Sequence, residues 1–321
     1  MVGVWGSGLI GRSLAAALVE RGVSVRLLSR SGERPKSFAA PLTQFGQMSL
    51  SASKEEMCSA LDGVSVLVHC AGRVDDEQRE YESAAVKLGE VAREVGLKRI
   101  LLLSTVAVYG DALVDFGLRV GAIVSTLLQP LPQNTYARSR YRAERLLGEA
   151  LDPTGIDFSM VRVPMVLGVG MKAKLFVKLR RLLRFGLFPI SSSRSASLPC
   201  IRVERLVQGL THLVIRSTRP QRLYQFAEYL RWVTIKESYE EATGRRVHAI
   251  PIPAGLVIPA CRALGHRGAG PALRVLLNEA VYQDDLRVLL SEAGPSSLDD
   301  LGHCRASEIR PDASLRDILW S

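Results

Sequence analysis

The sequence predicts an α/β protein, a doubly wound parallel sheet with a smaller C-terminal α/β lobe. Three observations predict it. Short apolar strands alternate with helix-patterned segments as far as residue 163, the order that calls for a parallel sheet covered on both faces. Residues 100–103 read Ile-Leu-Leu-Leu without polar alternation, as a strand buried on both faces should. A turn of Gly6-Ser7-Gly8-Leu9-Ile10-Gly11 separates the first strand from the first helix. In such sheets ligands bind beyond the carboxyl ends of the strands.

Composition bounds the function. With 321 residues, 47% of them hydrophobic, the chain can bury a large core and form one large domain or a domain with an appendage. We expect residues 1–165 to form the sheet domain. Residues 166–321 form mainly the second lobe, with some segments returning to the sheet. No apolar run approaches the roughly 20 residues a membrane span needs. The chain opens directly on a glycine-punctuated strand, so no signal peptide is expected. Cys58, Cys70, Cys200, Cys261 and Cys304 are scattered and odd in number. They fit neither a disulfide framework nor a metal site, and a cytoplasmic location follows. The formal net charge of +10 calls for an anionic partner. With 6% aromatic residues and no nucleic-acid motif, a phosphate-bearing small molecule is expected rather than nucleic acid.

The elements follow in order. Residues 2–5 form a strand, residues 12–21 a helix with Leu14 and Leu18 on one face, and residues 23–28 a strand. In this setting the glycines match a dinucleotide-binding fingerprint. Gly6 permits the tight turn, Gly8 lets the backbone approach a pyrophosphate, and Gly11 packs the helix on the strand. The helix N-terminus then faces the phosphates, and Leu9 and Ile10, inside the fingerprint, are expected among the cofactor-binding residues. The bland alternative is a glycine-rich turn in another βαβ unit. After the second strand comes Ser29-Arg30-Ser31. No acidic residue is there to bind the ribose 2′-OH of NAD, and Arg30 can pair with a 2′-phosphate. NADP is therefore favoured over NAD, unless Arg30 is simply solvated.

Residues 31–47 read as a polar connection, residues 54–61 as a helix and residues 64–68 as a strand running into His69-Cys70-Ala71-Gly72. Ala71 and Gly72 are small enough for close backbone approach to a cofactor. His69 reads as a core or hydrogen-bonding histidine. Residues 75–95 form a helix. The strand at residues 100–103 ends in Ser104-Thr105, followed by Val-Ala-Val-Tyr109-Gly110. Residues 111–132 form a long connection placed to cover the site. Asn134 and Thr135 are N-cap candidates for the next helix.

That helix carries Tyr-Ala-Arg-Ser-Arg-Tyr-Arg-Ala-Glu-Arg-Leu-Leu at residues 136–147. Tyr136 and Arg140 are one turn apart on one face, which Ala143 and Leu147 continue inward. Arg138, Arg142 and Arg145 form a solvent face. A fixed cation beside a phenol favours its ionised form, the condition for a tyrosine acting as general acid or base. The alternative is an ordinary helix tyrosine, with Arg140 paired to Glu144.

These motifs resemble the extended, nucleotide-sugar-modifying branch of the short-chain dehydrogenase/reductase superfamily, the epimerase/dehydratase family. Its active-site helix reads Y-(G/A)-x-S-K-x-x-A-E, and Arg140 stands where the family has lysine. The family's first fingerprint glycine is replaced by Trp5, with Gly6 beside it. Its HxAG turn is matched by His69–Gly72 and its S-S/T-x-x-V-Y-G segment by residues 104–110. The family often has an asparagine in the helix of residues 75–95; none occurs before Asn134.

The resemblance implies a Rossmann-like fold and residue roles. Tyr136 moves the proton on a sugar oxygen, Thr105 or Ser104 holds that oxygen, and Arg140 supports the phenolate and binds the nicotinamide ribose. Pro164, after the strand at residues 157–163, passes near the nicotinamide. Residues 172–205 carry nine Lys and Arg against Glu204 alone. They resemble the family's substrate-lobe run, with Lys172 and Arg194 near the nucleotide sugar. A basic amphipathic helix there is also compatible with peripheral membrane contact. Strands at residues 223–226 and 247–252 and helices at residues 201–215 and 234–243 continue the pattern, which runs from residue 2 to about 265; residues 312–319 read as a terminal helix beyond it.

The resemblance further implies a UDP- or dTDP-linked sugar, C4 epimerisation or 4-keto reduction, surface-polysaccharide synthesis and a homodimer. A rival reading is an NADP-holding sensor or partner-binding protein without turnover. Arginine essentially never gives up its proton, so a proton relay through position 140 fails while electrostatic support of Tyr136 does not.

Overall fold

A computed structural model describes the chain apart from residues 36, 37, 39, 40, 42, 73–77, 111–122, 172, 173, 192–196, 216–221, 253–280, 291–306, 310–312 and 321. Its first half runs β1 Val2–Trp5, α1 Leu9–Val19, β2 Val25–Ser29, β3 Thr43–Gln47, α2 Lys54–Leu61, β4 Val66–His69, α3 Gln78–Glu94, β5 Arg99–Thr105, β6 Ile123–Val124, α4 Thr135–Leu151 and β7 Asp157–Val163. The second half runs β8 Met165–Leu167, α5 Lys174–Arg184, β9 Leu187–Ser191, β10 Ser197–Arg202, α6 Val203–Ile215, β11 Leu223–Gln225, β12 Glu228–Arg231, α7 Trp232–Thr243, β13 His248–Ile252, β14 Val281–Tyr282, α8 Leu286–Leu289, β15 Ser307–Glu308 and α9 Ala313–Trp320.

Seven parallel strands form the main sheet in the order β3-β2-β1-β4-β5-β7-β11. The chain builds outward from β1 to one side, then returns to build from β4 to the other. The switch between β1 and β4 opens a crevice at the strand ends, where ligands of such sheets bind. Trp5 pairs with His69 in register, so these two strands end level. The sheet is Rossmann-like, as expected.

Two apolar layers cover it. On one face Leu14, Leu18, Leu206 and Leu210 of α1 and α6 pack against Val4, Leu27 and Leu101. On the other, Met57, Leu61, Leu88, Ala143 and Leu147 of α2, α3 and α4 pack against Leu28, Leu67 and Leu102. Successive residues of β5 thus serve opposite layers, as strand geometry requires. The second lobe is a four-stranded sheet, β8-β10-β12-β15. Its core includes Phe176, Leu179, Leu183, Phe188, Trp232 and Leu315.

Several expected elements move. The first helix starts at Leu9 rather than residue 12, so the glycine turn feeds it directly. Residues 31–47 are not all connection, because Thr43–Gln47 adds β3 to the sheet. That strand is an edge with one partner, which tolerates the polar Thr-Gln-Phe-Gly-Gln sequence that hid it. Ser53 and Glu56 form a capping box at the start of α2, typically worth about 1 kcal/mol. The expected cover at residues 111–132 falls largely outside the described residues.

Candidate active site

The turn after β1 is closed by glycine geometry. The Gly6 amide donates to the Leu28 carbonyl at 2.8 Å. Gly6 has φ +121, and a Cβ there would lie 2.8 Å from the Ala71 nitrogen. A Cβ on Gly11 would lie 1.7 Å from the Gly6 carbonyl oxygen. These two glycines therefore fix the turn against α1 and against the strand end at Ala71. Gly8 differs: a Cβ there would meet nothing within 4 Å. It is the exposed N-cap of α1 and makes no side-chain cap bond. Open space at uncapped helix amides fits a dinucleotide pyrophosphate. Trp5, in the family's first glycine position, is buried and donates from Nε1 to the Met48 carbonyl at 3.0 Å.

Tyr136 and Arg140 lie in the first turns of α4. Asn134 starts this helix by accepting from the Ala137 amide at 2.8 Å. Arg138, Arg142 and Arg145 face solvent, while Ala143 and Leu147 are fully buried. The Arg140 guanidinium carbon lies 5.0 Å from the Tyr136 ring centre and 3.5 Å from that of Tyr81 on α3. Its Nη1 is 3.5 Å from the Ala71 carbonyl. Arg140 is only 4% exposed; Tyr136 is half-buried. The structure therefore brings Tyr136, Arg140, Ala71, Gly72 and Gly6 to one place.

Helix α3 reaches this site by packing closely on α4. A Cβ on Gly89 would lie 2.5 Å from the Ala150 Cβ, and Ser139 Oγ donates to the Gln78 carbonyl at 2.9 Å.

Glu144 does not pair with Arg140. It binds Arg162 of β7 fork to fork, accepting from Nε at 3.0 Å and Nη2 at 2.6 Å. Nη1 of Arg162 donates to the Tyr109 hydroxyl at 2.8 Å. The buried group ties α4 to the sheet and to the turn after β5. Arg162 also pairs in register with Ser104.

The two candidate hydroxyls differ. Ser104 is buried, and its Oγ has no hydrogen-bond partner. Thr105 is half-buried and its Oγ1 accepts from the Ala107 amide at 3.1 Å. That bond leaves the Thr105 hydroxyl proton available to a ligand.

His69 is buried between aromatic rings, 4.1 Å from Trp5 and 5.4 Å from Tyr81 by centroid. Neither ring nitrogen has a partner. Burial, with the Arg140 charge nearby, lowers its pKa to about 3. It is a neutral core histidine. Desolvation pushes the Cys70 thiol up to about 12, so the turn supplies no thiolate.

Among the other expected residues, Leu9 and Ile10 start α1, and Leu9 reaches the segment after β8. A Cβ on Gly168 would lie 2.8 Å from Leu9 Cδ2. Pro164 is buried at the β7–β8 junction, and Arg30 is exposed at the end of β2. Lys172 and Arg194 lie outside the described residues. Sequence reasoning missed Tyr81 and Arg162. A cation within the apolar strand Asp-Phe-Ser-Met-Val-Arg-Val was the available signal, because a buried charge requires a partner.

Comparison with known proteins shows the family of this chain. The model of the NAD dependent epimerase/dehydratase family matches residues 4–212. Over 159 residues the chain is 29% identical to UDP-glucose 4-epimerase of Vibrio cholerae, covering 46% of this chain and 47% of that protein. Over 179 residues it is 31% identical to the 4-hydroxy-2-methyl-3-oxo-4-farnesyl-3,4-dihydroquinoline-1-oxide ketoreductase of Stigmatella aurantiaca, covering 51% and 49%. The chain spans about half the length of these curated relatives. Among solved structures, MoeE5 in complex with UDP-glucose and NAD matches with a TM-score of 0.62 at 21% identity, over 78% of this chain and 85% of that one. UDP-glucuronic acid 4-epimerase from Bacillus cereus in complex with NAD matches with a TM-score of 0.62 at 16% identity, over 78% and 86%. At these identities the likeness to the solved structures is one of fold.

Proposed function

The chain belongs to the NAD-dependent epimerase/dehydratase family, and from that premise we propose that it transfers hydride at C4 of a nucleotide-linked sugar, as an epimerase or 4-keto reductase. One observation carries the reading: Arg140 is buried against the Ala71-Gly72 turn, 5.0 Å from the Tyr136 ring. Tyr136 moves the proton on the sugar oxygen, Thr105 donates a hydrogen bond to that oxygen, and Arg140 holds positive charge beside the phenol. The nicotinamide dinucleotide, bound at Gly6, Gly8 and Gly11, supplies the hydride chemistry. Lys172 and Arg194 are assigned to the substrate diphosphate. Residues 1–165 bind the dinucleotide and residues 166–321 mainly the sugar. The setting is surface-polysaccharide synthesis in the cytoplasm, by a homodimer.

Incubation with NAD or NADP and a panel of UDP-hexoses and UDP-N-acetylhexosamines, followed by NMR, tests this. Turnover that Tyr136→Phe removes is the expected result; turnover unaffected by that variant defeats the mechanism. Bound cofactor with no turnover across the panel supports the sensor reading instead. The exposed Arg30 favours NADP. NADPH should bind more tightly than NADH, and Arg30→Ala should erase the difference.

A second reading concerns α5. Phe185 is 79% exposed at its end, beside exposed Val177, Leu182, Arg181 and Arg184. Arg180 is engaged elsewhere, donating to the Leu319 carbonyl at 3.0 Å. Apolar groups interleaved with cations suit the surface of an anionic bilayer. No helix among the described residues is long and apolar enough to cross one. Sedimentation with phosphatidylglycerol vesicles but not phosphatidylcholine vesicles, lost on Arg181→Gln with Phe185→Ser, is expected of this surface.

A further inference from the structure

We infer that Tyr81 is the positioning residue for Arg140, and that Tyr81, Gly72 and Arg140 form one interdependent unit built to hold a planar cation beside Tyr136. The inference rests on the reading of Tyr136 as the proton-transfer group.

The guanidinium lies flat enough on Tyr81 for its carbon to be 3.5 Å from the ring centre. Gly72 lies at the edge of this stacked pair, close to both members. That residue has φ +104, and a Cβ there would lie 2.6 Å from Nη2, 2.7 Å from Nη1 and 2.8 Å from Tyr81 Cδ2. The slot that the stacked pair fills therefore exists because residue 72 lacks a side chain. A compact ammonium is attracted to a ring face only as a point charge; it lacks the planar fork that stacks on the ring and fills the slot.

Tyr81 is itself braced. His69 packs behind it at 5.4 Å, Trp5 stacks on His69 at 4.1 Å, and Trp5 is hydrogen-bonded to Met48. A continuous column of Trp5, His69, Tyr81, Arg140 and Tyr136 thus runs from β1 to α4. The neutral His69 leaves Arg140 as the column's charge. Positioning that a helix asparagine does not provide in this chain is provided by an aromatic face.

The test uses the whole chain loaded with NAD or NADP, whichever it binds more tightly. In wild type, the Arg140 Nε–H resonance, assigned through Arg140→Lys, should be shifted upfield by the Tyr81 ring current. Tyr81→Phe should keep that shift and wild-type turnover, because the face remains. Tyr81→Leu should lose the shift and lower kcat by about tenfold or more, with KM for the sugar nucleotide within about threefold. Arg140→Lys should lower kcat rather than improve it. An unshifted wild-type resonance, or full turnover in Tyr81→Leu, overturns the inference. The resonance can be read even if Tyr81→Leu does not fold. Should wild type turn over no sugar nucleotide, the catalytic reading fails, while the resonance still decides the unit.

Discussion

Glu144 and Arg162 meet through two parallel hydrogen bonds in the interior, joining the helix that bears Tyr136 to strand β7. Each has lost its water, and each is compensated by the other. Arg162→Met strands a buried carboxylate and should cost about 3–5 kcal/mol in urea unfolding. Pairing it with Glu144→Gln should recover part of that loss. A single variant as stable as wild type would show that the pair does not anchor α4.

The glycine turn allows folding to be separated from the proposed dinucleotide binding. A side chain at residue 11 would overlap the Gly6 carbonyl, so Gly11→Ala should give little folded protein. Gly8 opens onto empty space. Gly8→Ala should fold, with Tm within about 3 °C of wild type. Its dinucleotide affinity should fall by about tenfold, because backbone approach to the pyrophosphate is blocked. Calorimetry and cofactor titration on the two variants check this.

The strand-end hydroxyls should separate as cleanly. Ser104 Oγ is sealed and unpaired, so Ser104→Ala should leave stability and turnover near wild type. Thr105→Val keeps the shape but removes the proton that the proposed mechanism offers to the sugar oxygen. Its kcat should fall by about tenfold to a hundredfold. The reverse ranking would reassign the role to Ser104.

Two buried groups push stability in opposite directions with pH. His69 is lowered from 6.5 to about 3. Below pH 6.5 the unfolded chain takes a proton that the folded chain refuses, so this contribution is lost as pH falls toward 3. Asp285 is raised from 3.8 to about 6, chiefly by desolvation. Between these values the folded chain keeps a proton that the unfolded chain releases, so stability falls as pH rises. The full windows are worth on the order of 5 and 3 kcal/mol. His69→Phe should therefore gain on wild type as pH falls from 6.5 to 4. Asp285→Asn should gain on it as pH rises from 4 to 6. Denaturant melts across this range measure both.

The sheet and the glycine turn were legible because their signals are local. Gly6, Gly8 and Gly11 sit within one turn, and residues 100–103 announce burial by themselves. The spacing of Tyr136, Arg140, Ala143 and Leu147 likewise showed which face of the helix turns inward. Strand β3 escaped because an edge strand need not be apolar. Tyr81 and Arg162 escaped for another reason. Their roles depend on packing between α3, α4 and β7, and nothing in the local pattern tells an arginine which of several aromatic rings or carboxylates it will meet. Arg140 stacks on Tyr81, while Glu144 is bound across the layer by Arg162.

Trp5 gives this protein a built-in optical probe. It adjoins Gly6 at the start of the glycine turn, whereas Trp232 and Trp320 belong to the second lobe's core. Emission from its indole overlaps the absorption band of a reduced nicotinamide. Docking of NADH or NADPH at the Gly6–Gly11 turn should therefore quench Trp5 and light the nicotinamide by energy transfer. Replacing Trp5 by phenylalanine should dim that signal far more than the same change at position 232 or 320.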